Sequence, residues 1–430
     1  MLTRYYNAIV ICILTCMAVV SVTLAWNDSL TFDEVAHIPA GYSYVTQHDY
    51  RLNPEHPPLL KVCAGLAMYP LHPAFDITQD FWTTANSYGE YGQWDAGRHL
   101  LHHAGNNTDV VVFVARLPII IISLLFGWFL FYWGKKIGGV ATGLFALMLY
   151  ACDPNILGHN HFVTTDIGIA AAIGVAFFAF LHFLKNPTWT YALYGGIALG
   201  VAQVTKFSAI MLIPFFGLLL VIYPLICPKK ENENRITLWG HYFLKGLCAL
   251  CVMVGIIWVT YLPVTYNMPK DVLPPITEIK AQPEKYARDT SFTHIILWSN
   301  QYTATRPFAA YAQGLMQVLN RVDDGNVTYF MGTVSSDASR WYFPFVFTTK
   351  QTPIHLCVYL TMFLVVCSAL FTQIRVFCTQ NIRVTATRLR DNIVAHFHSI
   401  TLALFILLYS YISITGNLTI GFRHLFPMMP

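Results

Sequence analysis

The chain has 430 residues, 55% of them hydrophobic and only 11% charged, with a mean hydropathy of +0.49. These proportions exclude a soluble globular protein. The formal charge of +4 follows from where the lysines and arginines fall and gives no case for nucleic-acid binding.

Apolar residues come in runs of about 20, the length that crosses a hydrocarbon core as a helix. In chain order there are nine, at roughly 7–26, 111–133, 139–152, 166–184, 190–205, 208–226, 241–263, 353–375 and 394–415. Runs of this length point to helices rather than barrel strands, so the expected fold is an all-α polytopic membrane protein with about nine transmembrane helices. The third and fifth runs are short and are expected to tilt or break near their ends. The first follows Met1 and Arg4 and lacks a small-x-small cleavage site before Trp26, so it reads as an uncleaved first span.

Positive charge sets an orientation. Arg4, Lys135, Lys136, Lys185, Lys229, Lys230, Arg235, Arg375, Arg383, Arg388 and Arg390 fall in one set of short loops, whereas the other set holds little beyond Lys206 and Arg423. The positive-inside rule then puts the N-terminus in the cytoplasm. The organisation expected is a first span (1–26), an outer loop with interfacial helices (27–110), spans two to seven (111–263), a large outer loop (264–352), and two last spans with an outer C-terminal segment (353–430). The sequence closes on "GFRHLFPMMP", where the protein either stops or continues into a part not contained here.

The ten cysteines lie mostly inside spans, and Cys248-x-x-Cys251 within an apolar helix reads as packing rather than a redox pair. Sequons at Asn27, Asn106, Asn326 and Asn417 matter only in a host that glycosylates its exported loops.

The ionisable residues concentrate in "FDEVAHIPAGYSYVTQHDYRLNPEHPPLLK", from Phe32 to Lys61. Thr31 and Glu34 fit a capping box, and Pro57 and Pro58 suit the start of a second interfacial helix. That accounts for Glu34 but not for Asp33, His37, Glu55, His56 and Lys61 gathering beside a span end. On a helix starting near Asp33, His37 follows at i+4 on the same face, and a carboxylate beside an imidazole suits proton transfer. Ionisable groups at a bilayer boundary are costly and usually functional.

Asp33-Glu34 followed by Glu55-His56-Pro57-Pro58-Leu59-Leu60-Lys61 resembles the first outer loop of the GT-C glycosyltransferases, in particular protein O-mannosyltransferases and lipid A aminoarabinose transferases. "DPNILGHNHFVTTDIGIA", "VTKFSAI", "YFMGTVSSDASRWYFPFVFTTKQTP" and "GFRHLFP" are similar to later segments of those enzymes. One departure is Ala36, which intervenes where mannosyltransferases tend to read D-E-V-H, before His37. The resemblance implies an inverting transfer of a sugar from a polyprenyl-phosphate carrier to a hydroxyl of a protein, lipid or glycan, on the outer face of a cytoplasmic (inner) membrane.

On that resemblance Asp33 is the catalytic base, supported by Glu34 and Asp166. The donor phosphate needs cations, for which His56, Lys61, Lys206, Arg306, Arg423 and His424 are the candidates. His37, Glu55, His159 and His161 would orient substrate, and Tyr42, Tyr44, Trp341 and Tyr342 are available to stack on a sugar. Glu34-x-x-His37, and His159 and His161 near Asp166, are also weighed for a divalent metal such as zinc or manganese, and related enzymes differ in metal dependence. His99, His102 and His103 read as a solvated interfacial helix. The partners implied are a lipid-linked sugar, its acceptor and membrane lipids. A polytopic transporter or flippase is the competing reading, but it calls for charge at mid-membrane and paired repeats, and neither is evident.

Overall fold

The computed structural model describes residues 2–84, 92–228, 234–281, 290–336, 338–379 and 390–429. All nine apolar runs fold as helix. They are α1 (Leu2–Asn27), the two arms of α5 (Thr108–Ala151), α6 (Asp166–Lys185), α7 (Trp189–Thr205), α8 (Leu212–Ile226), α9 (Arg235–Thr265), α14 (Pro353–Thr379) and α15 (Phe397–Thr415). The fold class is the all-α polytopic membrane protein expected.

By length and hydropathy, six helices of the described residues are able to cross a membrane, or seven if α13 (Tyr342–Lys350) and α14, bent by 118°, form one span. Two features separate this number from nine. α5 breaks at Gly138 and Gly139, where Gly139 takes φ +86°. Gly134 then meets Gly143, and the Ser123 hydroxyl lies 2.8 Å from that of Tyr150, so the two arms run back along each other. The positive φ explains why a glycine stands at that turn. α7 has only 17 residues. Lys229, Lys230, Arg383 and Arg388, on which part of the expected orientation rests, lie outside the described residues.

The interfacial helices are α2 (Phe32–Thr46), α3 (Leu59–Met68) and α4 (Gly92–Arg98). α2 starts with the capping box: Thr31 N–H and Oγ1 donate to Glu34 Oε2 at 3.0 and 3.1 Å. α3 begins straight after Pro58. Gly41 of α2 lies on the Lys61 backbone and Gly65 of α3 on Gly41, so the two helices touch main chain to main chain. His99–His103 continues α4 as a wider turn.

Of the large loop, α10 (Leu273–Ala281) and α11 (Thr290–Asn300) pack on each other and on α12 (Arg306–Asp324), and α12 packs on α9, followed by a small hairpin of β1 (Thr328–Phe330) and β2 (Thr333–Ser335). Proline in the first turn and Gly325 at φ +71° bound α12. Thr328 Oγ1 lies 2.5 Å from Thr419 Oγ1, so two of the sequon threonines tie the hairpin to the segment after α15. Asn106 is likewise engaged, through Ala74 and Leu100. Cys248 and Cys251 are free thiols on α9.

Between lipid-facing helices, close packing takes over from the hydrophobic effect, and small residues permit it. Gly196 and Gly200 of α7, one turn apart, lie against Ala249 and Ile256 of α9. A Gly200→Leu variant should therefore lose about 1–3 kcal/mol to overpacking, read as a lower unfolding temperature in detergent. An unchanged unfolding temperature would contradict the α7–α9 contact.

Candidate functional site

The ionisable residues of the first loop separate into a buried framework and a group facing a cavity. In the framework, Glu34 is fully buried and pairs with Arg116 of α5, whose Nε and Nη2 each donate to it at 2.8 Å. Arg116 also donates to the carbonyls of Ala25, Asp28 and Ser29, and Val163 N–H donates to Glu34 Oε1 at 3.1 Å. With its oxygens so engaged, Glu34 holds the start of α2 to α5 and to the chain at Val163. Arg116 was missed, although a lone arginine inside the apolar run 111–133 is itself a signal.

Lys61 also belongs to the framework. It is 1% exposed and donates to Asn53 O, Asn53 Oδ1 and His56 O, each at 2.7 Å, and to Tyr44 Oη at 3.2 Å. Burial pushes its ammonium well below the ordinary lysine range, partly opposed by Glu55. It fixes the turn 53–56. Tyr42 and Tyr44 are buried too, whereas Trp341 is 74% exposed.

Arg306, at the start of α12, is buried and donates to Met268 O at 2.7 Å. It therefore caps main-chain carbonyls. His161 is buried 3.1 Å from Asp28, away from the carboxylate it was expected to join. His159 hydrogen-bonds through Nδ1 to Asn155 O at 2.9 Å and packs against the Phe426 ring. Neither arrangement weighed for a metal assembles: among the described residues no group of three His, Cys, Asp or Glu is placed to hold a metal ion.

The remaining residues meet. Lys206, in the break between α7 and the short helix Phe207–Met211, pairs with Asp166 at the first turn of α6, 2.7 Å apart. Arg423, in the helical turn Phe422–Met428, pairs with Asp33 and lies 3.7 Å from the second Asp166 oxygen. One guanidinium thus joins two of the three candidate carboxylates. Burial works against that charge, but Asp166 and Asp33 outweigh it and raise Arg423 above its usual range. Asp33 is the more open carboxylate, at 28% exposure against 4% for Asp166.

Beside these residues opens a cavity of about 240 Å³, lined by Glu55, His56, Lys206, Arg321 and His424 and by the apolar Leu315, Val318, Leu319 and Ile412. Ser208 also lines it, and its buried hydroxyl has no hydrogen-bond partner among the described residues. His37 contacts the His56 ring edge-on at 5.1 Å and bonds through Nδ1 to Val163 O at 2.7 Å. Burial, His37 and the Lys61 charge push His56 well down, and burial with Lys206 takes His424 to about 3. Both rings are neutral hydrogen-bonding groups at neutral pH. A larger cavity, about 690 Å³, is an apolar groove lined by Leu59, Leu60, Gly168, Lys136 and His182, and it contains none of the clustered groups.

Arg321 was not among the sequence candidates. It lies 15 residues after Arg306 on α12, about 22 Å along the helix axis. Gly314 of α12 rests on Pro54 O and the Phe207 ring, which lets the helix approach both the first loop and the Lys206 turn. The proline and glycine bounding "RPFAAYAQGLMQVLNRVDDG" were the signal that could have placed this arginine on a helix facing the cavity.

Residues 107–258 match the family model described as dolichyl-phosphate-mannose-protein mannosyltransferase. The segment runs from α5 to α9 and contains Asp166 and Lys206. A comparison with curated proteins finds no match. The match covers about a third of the chain, and the matched family is of the GT-C glycosyltransferase type that the first loop resembles.

Two predictions follow from the burial. Arg116→Ala leaves Glu34 as an unpaired buried charge and should cost about 3–5 kcal/mol of stability, measured by thermal unfolding in detergent; a loss under 1 kcal/mol would contradict the framework role. For His424, the folded pKa of about 3 lies below the unfolded value near 6.5. As pH falls below 6.5, the unfolded chain takes up a proton that the folded chain refuses, so stability falls with pH. Between pH 7.5 and 5 this site should lose about 2 kcal/mol, and His424→Gln should flatten the profile by that amount.

Proposed function

We propose that the protein transfers a sugar from a polyprenyl-phosphate carrier to an acceptor hydroxyl, with inversion, on the face of the membrane where α2 and α3 lie. The observation that carries this reading is the Asp33–Arg423–Asp166–Lys206 chain beside a cavity lined by both cationic and apolar side chains. A carrier lipid has the matching form, a phosphate joined to a long apolar chain.

Lys206 and Arg321 supply charge for the phosphate, and neutral His56 and His424 supply hydrogen bonds. Ser208 offers a further donor whose need is unmet in the protein itself. The apolar face of α12 and Ile412 of α15 receive the first isoprene units. Asp33 is the base. The acceptor oxygen forms its bond to the anomeric carbon, its proton passes to Asp33, and the carbon–oxygen bond to phosphate breaks with the electron pair leaving on the phosphate. Asp166 does not take the proton. Buried and paired with Lys206, it holds that lysine and Arg423 in register.

The positive-inside bias supports placing this face outward, and the acceptor is a protein, lipid or glycan hydroxyl. Whether a divalent metal takes part does not enter these steps, which rest on the chain's own residues.

Radiolabelled polyprenyl-phosphate sugar incubated with the purified protein and a membrane extract should label an acceptor. Asp33→Asn should reduce the rate by at least about 10²-fold while folding is retained. Undiminished transfer by Asp33→Asn would remove the base assignment, and no transfer by the wild type with any such donor would remove the reading.

A further inference from the structure

Arg321 does not stand free at the cavity wall: its Nη1 is paired with Glu55 Oε1. The two ends of this pair differ in rigidity. Glu55 sits in the turn that Lys61 and Tyr50 pin, since both donate to the His56 carbonyl, at 2.7 and 2.6 Å. Arg321 extends from α12 on a long side chain that is 40% exposed, against 22% for Glu55. A pair this open to solvent is worth at most about 1 kcal/mol, so an anion entering the cavity can draw the guanidinium away at small cost.

We propose that Glu55 and the carrier phosphate compete for Arg321, and that Glu55 thereby promotes release of the spent carrier. This rests on the transferase reading above. The reason lies in the charge change during transfer. The sugar-bearing phosphodiester carries one negative charge, whereas the freed phosphate monoester carries about −1.5 to −2 at pH 7. A cavity holding Lys206, Arg321 and two histidines would therefore grip its product more strongly than its substrate. Glu55, held in its pinned turn on the cavity wall, reclaims Arg321 and removes one cation from the product. Arginine suits this exchange because carboxylate and phosphate both match its planar fork.

The test is direct binding of polyprenyl monophosphate to the purified protein in nanodiscs, with product inhibition of label transfer as a second readout. Glu55→Gln should tighten binding about three- to fivefold, deepen product inhibition and lower kcat. Arg321→Gln should weaken binding, and Arg321→Lys should restore part of it. The deciding variant carries both Glu55→Gln and Arg321→Gln. Competition predicts the same binding as Arg321→Gln alone, because Glu55 then has nothing to withhold.

Simple repulsion between Glu55 and phosphate, or a merely structural role, predicts that the Glu55→Gln effect persists without Arg321, and that result overturns the proposal. So does unchanged binding in Glu55→Gln while the wild type binds carrier and transfers label. A wild type that binds no carrier phosphate overturns the transferase reading and this inference together.

Discussion

The buried pair between Glu34 and Arg116 is the contact on which the site depends. It joins the end of α1, the first turn of α2, the first arm of α5 and the strand of chain at Val163 in one network, with Glu34 fully buried. A pair this enclosed needs every lone pair and proton engaged to offset desolvation, and here carbonyls and main-chain N–H groups complete the set. Its consequence for Asp33 is geometric. Successive residues on a helix turn by about 100°, so fixing Glu34 inward directs its neighbour toward the segment after α15, where Arg423 meets it.

The same division of labour recurs around the cavity. Lys61 is spent on the turn that shapes His56 and Glu55, and Asp166 on Lys206 and Arg423. Buried charges build the framework, and the more open charges of Asp33, Lys206 and Arg321 are the ones proposed to meet substrate. Ionisable residues in this protein thus serve two ends within a few ångströms of each other, and burial separates them more cleanly than residue type does.

Much of this was legible in the sequence. A run of 20 apolar residues has few outcomes other than a helix, so every expected span has its counterpart, and only the glycine turn within α5 and the short α7 alter how they are counted. Lys206 and Arg423 were readable because a cation at the sparsely charged ends of spans stands out against its surroundings. The roles of Glu34 and Lys61 were not. Glu34 is 82 positions from Arg116, and whether a lysine ends beside carbonyls or a cavity depends on the contact that Gly41 and Gly65 allow. Arg321 escaped for a related reason: its place is set by α12 docking on Pro54 and Phe207, a tertiary event without a local pattern.

The account's central claim is that the phosphate of a lipid carrier sits among Lys206, His56, His424 and Arg321 with its sugar facing Asp33. A structure of the protein with a non-cleavable polyprenyl-phosphonate sugar tests it most directly. The account predicts the phosphonate within hydrogen-bond distance of Lys206, with the anomeric carbon on the side of Asp33. A phosphonate bound elsewhere, such as at Lys136 and His182 in the larger groove, would contradict it.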